Sequence, residues 1–236
     1  MKTTQITPNS LQLTRFGLCN CYLVRESSPE GDSFTLIDTT IGGSTDAILA
    51  AALTAGAPIR RILLTHAHGD HVGSLDALMK KLGPDTQLAA SARSLPLLER
   101  KPNKSLRPGE PQAKIKGSLP GTKSIPTHLL AEGELFGSLR VIETPGHIPG
   151  HLSFLDERDG TLFTGDALVC VGRLAVSGYA PWFFPLPNVA TWHKPTAVAS
   201  ARKLLTYDIA RFAAGHGAIR SGGIPALQQA LQQTGA

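Results

Sequence analysis

The chain has 236 residues, 42% of them hydrophobic and 17% charged, which is the balance of an ordinary globular enzyme with room for a substantial core. No stretch approaches 18 consecutive apolar residues, and the amino terminus lacks the apolar segment of a signal peptide, so the expectation is a cytoplasmic protein with no membrane span. A net charge of +5 and a pI near 9.3 form only a mild basic bias, not the footprint of a nucleic-acid binder.

The opening third reads as strands and then a helix. LQLTRF, NCYLV and SFTLID are short β-type runs separated by turn residues. Cys19 and Cys21 stand two apart on a probable strand, so they do not form a metal-type CxxC pair; with Cys170 they are read as small apolar core residues. Ser44 is placed to cap a helix starting at Thr45, and RRILLTH is a further β-type run. Val72, Leu75, Met79 and Leu82 recur at helical spacing, which predicts one helix from about Asp70 to Gly83-Pro84. A strand is expected over residues 86–90 and a helix over 91–100. Between Arg100 and Lys123, seven basic residues (Arg100, Lys101, Lys104, Arg107, Lys114, Lys116 and Lys123) face a single Glu110 in a segment rich in Pro, Gly and Ser. The plain reading is a solvated loop; the sharper one is an anion-attracting lid over a site. β character returns in SLRVIET, HLSFLD and TLFTG, followed by a helix over residues 194–205, the strand and loop ARFAAGHG, and a last helix over 224–233. Strands and helices therefore recur in two similar halves. No linker separates them, and residues 1–236 are expected to form one domain.

The chemistry is concentrated in Thr65-His66-Ala67-His68-Gly69-Asp70-His71. Alternation lets His66 and His68 converge on one ion, and Gly69 permits a turn that sends Asp70 and His71 toward a neighbouring point. Thr144-Pro145-Gly146-His147, Phe163-Thr164-Gly165-Asp166 and Gly215-His216-Gly217 each place a ligand-type side chain directly after a β run. Six of the eight histidines (His66, His68, His71, His147, His151 and His216) fall in these segments. Downstream, Tyr179 to Pro185 gathers four of the thirteen aromatic residues, with Trp182, Phe183 and Phe184 consecutive. They are read either as packing against the scaffold or as an apolar wall at the mouth of a pocket.

HAHGDH followed in order by TPGH, GD and GHG resembles the metallo-β-lactamase superfamily, and the resemblance runs from Asn20-Cys21-Tyr22 to Gly217. It implies an α/β fold of the αββα sandwich type with metals at one edge of two sheets. It also implies that His66, His68 and His147 hold one metal, that Asp70, His71 and His216 hold a second, and that Asp166 bridges them. His151 is then expected beside the ligands or near the substrate. An all-nitrogen and oxygen donor set suits two zinc ions, with iron, manganese or cobalt admitted. Two such ions about 3.5–4 Å apart can share a water and generate hydroxide near neutral pH, for attack on a small-molecule ester, lactone or thioester. Asp70 is the expected proton shuttle.

Departures from family patterns narrow the expectation. The common zinc β-lactamases carry Cys where Asp166 stands. Hydroxyacylglutathione hydrolases add a helical carboxy-terminal region, whereas 19 residues follow Gly217 here. Lactonases usually have Tyr three residues after the bridging Asp, a position held by Val169. Two alternatives from other classes are a mononuclear-iron oxidoreductase resembling persulfide dioxygenases and, less favoured, a nucleic-acid hydrolase resembling ribonuclease Z.

Overall fold

The computed structural model describes residues 1–235. The amino-terminal half forms a seven-stranded sheet in which each strand lies beside its sequence neighbour: β1 (Lys2–Thr7), β2 (Ser10–Arg15), β3 (Cys19–Glu26), β4 (Ser33–Ile37), β5 (Ile59–Leu63), β6 (Gln87–Ser91) and β7 (His128–Leu130). A six-stranded sheet follows, built from β8 (Leu135–Phe136), β9 (Leu139–Glu143), β10 (Leu152–Asp156), β11 (Thr161–Gly165), β14 (Arg211–Ala214) and β15 (Arg220–Ser221), in the order β15-β14-β11-β10-β9-β8. Between β11 and β14 in sequence, β12 (Leu168–Val169) and β13 (Ala175–Val176) pair only with each other.

Strand alternation builds three apolar layers from one sequence pattern. In β3, Cys21 and Leu23 face α1 (Thr45–Thr54) and α3 (Leu75–Leu82), joining Ile48, Ala52, Leu75 and Leu78. Their neighbours Tyr22 and Val24 face the opposite sheet, meeting Phe154, Phe163 and Ala213. On the far side, Leu162, Phe212 and Ala214 pack under α6 (Lys194–Lys203) and α7 (Gly223–Gln232). Both faces of the central strands are therefore covered, which is why β10 and β11 are buried from end to end while β1, at the edge, stays largely exposed. Each fully buried Leu, Ile or Phe in these layers contributes about 1.5–3 kcal/mol. The result is the αββα sandwich.

Three local expectations change. The helix anticipated from Asp70 to Gly83 is two helices, α2 (Gly69–Val72) and α3. It breaks because Gly73 lies against the backbone of 41–42, where an added Cβ would come within 2.5 Å of the Gly42 nitrogen, and because Ser74 donates to the Ile41 carbonyl. Ser44 does precede α1, but its side chain makes no cap bond. The helix expected over 91–100 shrinks to the single turn α4 (Leu95–Leu98). The short α5 (Leu186–Ala190) was not anticipated.

β4 to β7 run parallel, as do β11 and β14, while β10 lies antiparallel to both β9 and β11. The carboxy ends of β4, β5, β9, β11 and β14 consequently open toward one edge of the sandwich, where loops are free to carry function.

Candidate metal centre

The loop after β5 supplies His66 and His68, α2 supplies Asp70 and His71, and the loops after β9, β11 and β14 supply His147, Asp166 and His216. All seven meet. Ligand atoms of His66, His68 and His147 lie within 4.8 Å of one another, as do those of His66, His71 and Asp166. A third group joins Asp70 and His216, with Cys19 as its third member. Asp166 stands between them: its carboxylate oxygens lie 3.4 Å from His71 Nε2, 3.5 Å from His147 Nε2 and 3.3 Å from His216 Nε2.

Hydrogen bonds on the outer side of each ring determine which nitrogen faces inward. Asp38 accepts from the Thr65 backbone N–H at 2.8 Å and from the Thr65 hydroxyl at 2.7 Å. Having donated, that hydroxyl accepts from His66 Nδ1 at 2.9 Å, so the proton sits on Nδ1 and Nε2 keeps its lone pair. Asp38 also accepts from His71 Nδ1 at 2.7 Å. His68 Nε2 donates to the Lys116 carbonyl at 3.0 Å, and His147 Nδ1 donates to Ser177 Oγ at 2.9 Å. His216 Nδ1 donates to the Leu18 carbonyl at 3.2 Å. One buried carboxylate, Asp38, thereby sets the orientation of two histidines on different sides of the centre.

This arrangement fits a pair of cations. His68 Nδ1 lies 3.1 Å from His66 Nε2 and 3.0 Å from His147 Nε2, and outer bonds leave all three as acceptors. Three lone pairs at that spacing repel unless something positive lies among them. His71 Nε2 and Asp166 Oδ1 are buried and lack hydrogen-bond partners. Burial, reinforced by neighbouring imidazoles, pushes His66 and His147 well below the ordinary histidine range and keeps them neutral, as ligation requires. Burial also lowers His151, to about 3. At His71 and His216 burial acts in the same direction but is outweighed by the carboxylates, Asp166 foremost, and both rise well above that range. Burial opposes ionisation of Asp70 and Asp166, yet their histidine neighbours hold both below the usual carboxylate range. Negative charge collects at the Asp70–Asp166 end, which draws positive charge to it.

Several positions hold the frame. Asn20 Nδ2 donates to the carbonyls of Ala214 and Gly217, and the Tyr22 hydroxyl donates to Ala214, tying β3 to the loop that presents His216. His151 is fully buried; it accepts from the Asp166 backbone N–H at 3.0 Å and meets Thr144 Oγ1 through Nδ1, so both ring nitrogens are engaged in shaping the Asp166 loop. Among the three consecutive aromatics, Phe184 is buried with its ring 5.5 Å from that of His216, whereas Trp182 and Phe183 are exposed.

The basic loop lies against the centre through its backbone. Ile115 is buried, the Lys116 carbonyl receives His68, and the Ser118 carbonyl receives the Gly69 N–H at 3.0 Å, while Lys114 and Lys116 remain exposed. Gly117 makes this approach possible, since its φ is +83° and an added Cβ would come within 2.2 Å of His68 Nε2. Gly117→Ala is therefore expected to push His68 out of place, cutting metal affinity and activity by about 100-fold with the fold intact. Metal content and circular dichroism, measured on the same sample, check this.

A family model described as the metallo-beta-lactamase superfamily matches residues 14–216. The chain belongs to the metallo-beta-lactamase superfamily. Within it, the chain is 45% identical over 215 residues to the uncharacterized protein YobT of Bacillus subtilis, covering 91% of this chain and 89% of that one. It is 32% identical over 149 residues to a hydroxyacylglutathione hydrolase of Xanthomonas axonopodis, covering 60% of this chain and less than half, 46%, of that enzyme. Among solved structures it superposes on TTHA1623 in a di-iron-bound form with a TM-score of 0.62, at 27% identity and with 94% of each chain covered. Superfamily members are metal-binding hydrolases, and the histidine clusters described above are where this one gathers its ligand-type side chains.

The sequence reading names Thr65 without giving it a role and omits Asp38, although Asp38 ends an apolar run as ligand-type residues do elsewhere in the chain. Cys19 is a correction. Cys21 and Cys170 are buried core residues as expected, but Cys19 is half-buried at the edge of the centre. The backbone acceptors at Leu18 and Lys116 carry no signal in residue identity.

Proposed function

We propose that this chain is a binuclear metal-dependent hydrolase that opens esters, lactones or thioesters of small molecules. The observation that carries the reading is the convergence of seven ligand-type side chains, five of them histidines whose outer hydrogen bonds turn their inner nitrogens toward shared points. His66, His68 and His147 would hold one ion and Asp70, His71 and His216 the other, with Asp166 between them. Zinc suits these donors best, and iron or manganese is compatible with them. When bound, such a pair lowers the pKa of a shared water toward neutrality and polarises a carbonyl.

The protein's own groups do the rest. Asp70 has the most exposed side chain among the carboxylates and histidines of the centre, at 37%, and is held ionised; it is placed to orient an attacking water and take its proton. Before an ion is bound, His71 and His216 on either side hold that carboxylate ionised; as ligands both would shed their protons. Phe184 offers an apolar surface next to His216, and the 116–118 backbone closes the opposite side near His68. The hydroxyacylglutathione hydrolase relative supports including thioesters among the substrates. A small-molecule substrate, with neither nucleic acid nor membrane as partner, and a cytoplasmic setting complete the proposal; three unpaired cysteines support that compartment.

The test is a panel of simple esters, lactones and thioesters offered to protein loaded with two equivalents of zinc. Turnover of at least one class, abolished by a chelator, is the expected result. Failure on all three classes overturns the proposal.

A further inference from the structure

Cys19 is the one cysteine whose surroundings packing does not explain. Cys21 and Cys170 belong to the apolar layers of the two halves, whereas Cys19 joins none of them. It opens β3 and pairs with His216 through an isolated antiparallel bridge. That bridge is locked on both sides: the Asn20 N–H donates to the Gly215 carbonyl at 2.9 Å, and the Asn20 side chain reaches the carbonyls of Ala214 and Gly217. Directly opposed residues in such a bridge have their Cβ atoms about 4.5–5.5 Å apart. The thiol and the imidazole are thus held side by side by the backbone.

Geometry and chemistry agree on what the pair faces. The Cys19 sulfur, a carboxylate oxygen of Asp70 and a ring nitrogen of His216 all lie within 4.8 Å of one another. Bonds of about 2.3 Å to sulfur and about 2.0–2.2 Å to nitrogen and oxygen place neighbouring donors of one ion roughly 3–3.5 Å apart, so the group is close to closing on a cation. An independent sign of a missing ligand lies alongside. The His71 side chain is 1% exposed, its Nε2 has no hydrogen-bond partner, and that nitrogen lies 3.4 Å from Asp166 Oδ1 and 4.0 Å from the Asp70 Oδ2 that His216 Nε2 approaches to 3.2 Å.

We propose that the Cys19 sulfur is a ligand of the second ion, which extends the donor set of that site from nitrogen and oxygen to nitrogen, oxygen and sulfur. The inference rests on the metal-centre reading above and goes beyond the residues carried over from the superfamily pattern. As the ion enters, the thiol releases its proton to solvent and the thiolate bonds to the metal. The sulfur biases this position toward zinc and cobalt and away from manganese, while the three-histidine position keeps its nitrogen character.

Cobalt(II) titration of the full-length protein tests the inference. Cobalt-loaded wild type is expected to show a strong sulfur-to-cobalt charge-transfer absorption in the near ultraviolet, absent from Cys19→Ser. A second measurement needs no variant. Cys19 is the half-buried thiol among buried ones, so iodoacetamide should label it in chelator-treated protein and do so about 10-fold more slowly once two equivalents of zinc are bound. Peptide mapping identifies the labelled residue. Two bound cobalt ions without the charge-transfer band, or a Cys19 labelling rate indifferent to zinc, overturns the thiolate ligand while leaving the hydrolase reading standing. Protein that retains no metal at all removes both.

Discussion

Replacing Asp166 with alanine is expected to lower kcat/KM on any substrate the enzyme accepts by about 1000-fold, equivalent to roughly 4 kcal/mol of lost transition-state stabilisation. The reason is its position. Its two oxygens reach His71, His147 and His216, drawn from α2 and from two separate loops, and Oδ1 has no hydrogen-bond partner that would give it another role. Bound metal should fall from two equivalents to one or none, since neither ion keeps its shared carboxylate. The fold should survive: what the substitution deletes is a buried charge, while the backbone N–H that donates to His151 remains. Metal analysis, steady-state kinetics and circular dichroism on one preparation decide the matter. Two retained equivalents with activity within 10-fold of wild type would take Asp166 out of the centre.

Asp38→Ala should damage both stability and metal binding, although Asp38 belongs to none of the three ligand groups. Its carboxylate accepts three hydrogen bonds in a buried setting, from the Thr65 N–H, the Thr65 hydroxyl and His71 Nδ1. Stranding those donors costs about 1–3 kcal/mol each, so a total destabilisation of about 3 kcal/mol or more is expected in urea unfolding. Asp38 also holds a left-handed backbone conformation, φ 59°, which aspartate tolerates better than alanine. With the anchor gone, His71 loses its orientation directly and His66 loses it through Thr65, and metal affinity should drop about 10–100-fold. Asparagine rescues this poorly. If its oxygen takes the place that serves the Thr65 hydroxyl and His71, its NH₂ group meets the Thr65 N–H, donor against donor, and displaces the loop that carries His66; with the amide turned over, the NH₂ meets the His71 Nδ1–H instead. Asp38→Asn should therefore resemble Asp38→Ala in metal affinity, measured by competition with a chromogenic chelator. Wild-type affinity in either variant would show that the rings are oriented by packing alone.

Residue type and spacing by themselves picked out the ligand-type residues and most strands, and the α/β sandwich followed from the superfamily resemblance that those motifs carry. Strand formation and metal ligation both leave marks that survive in one dimension: short β-type runs such as SFTLI and TLFTG, each followed directly by an aspartate. The tertiary structure alone decided the rest. The helix break at Gly73-Ser74 comes from the 41–42 backbone pressing against it, a contact no local propensity encodes. Asp38 matters because it lies 27 residues before the Thr65 that it binds, and the Lys116 and Leu18 carbonyls act through atoms every residue possesses. Cys19 reads as core on its strand and becomes a metal-facing thiol only because the two sheets meet at His216, nearly two hundred residues downstream. Side-chain chemistry is written in sequence, whereas the backbone acceptors and long-range contacts that aim it exist only once the two halves have packed.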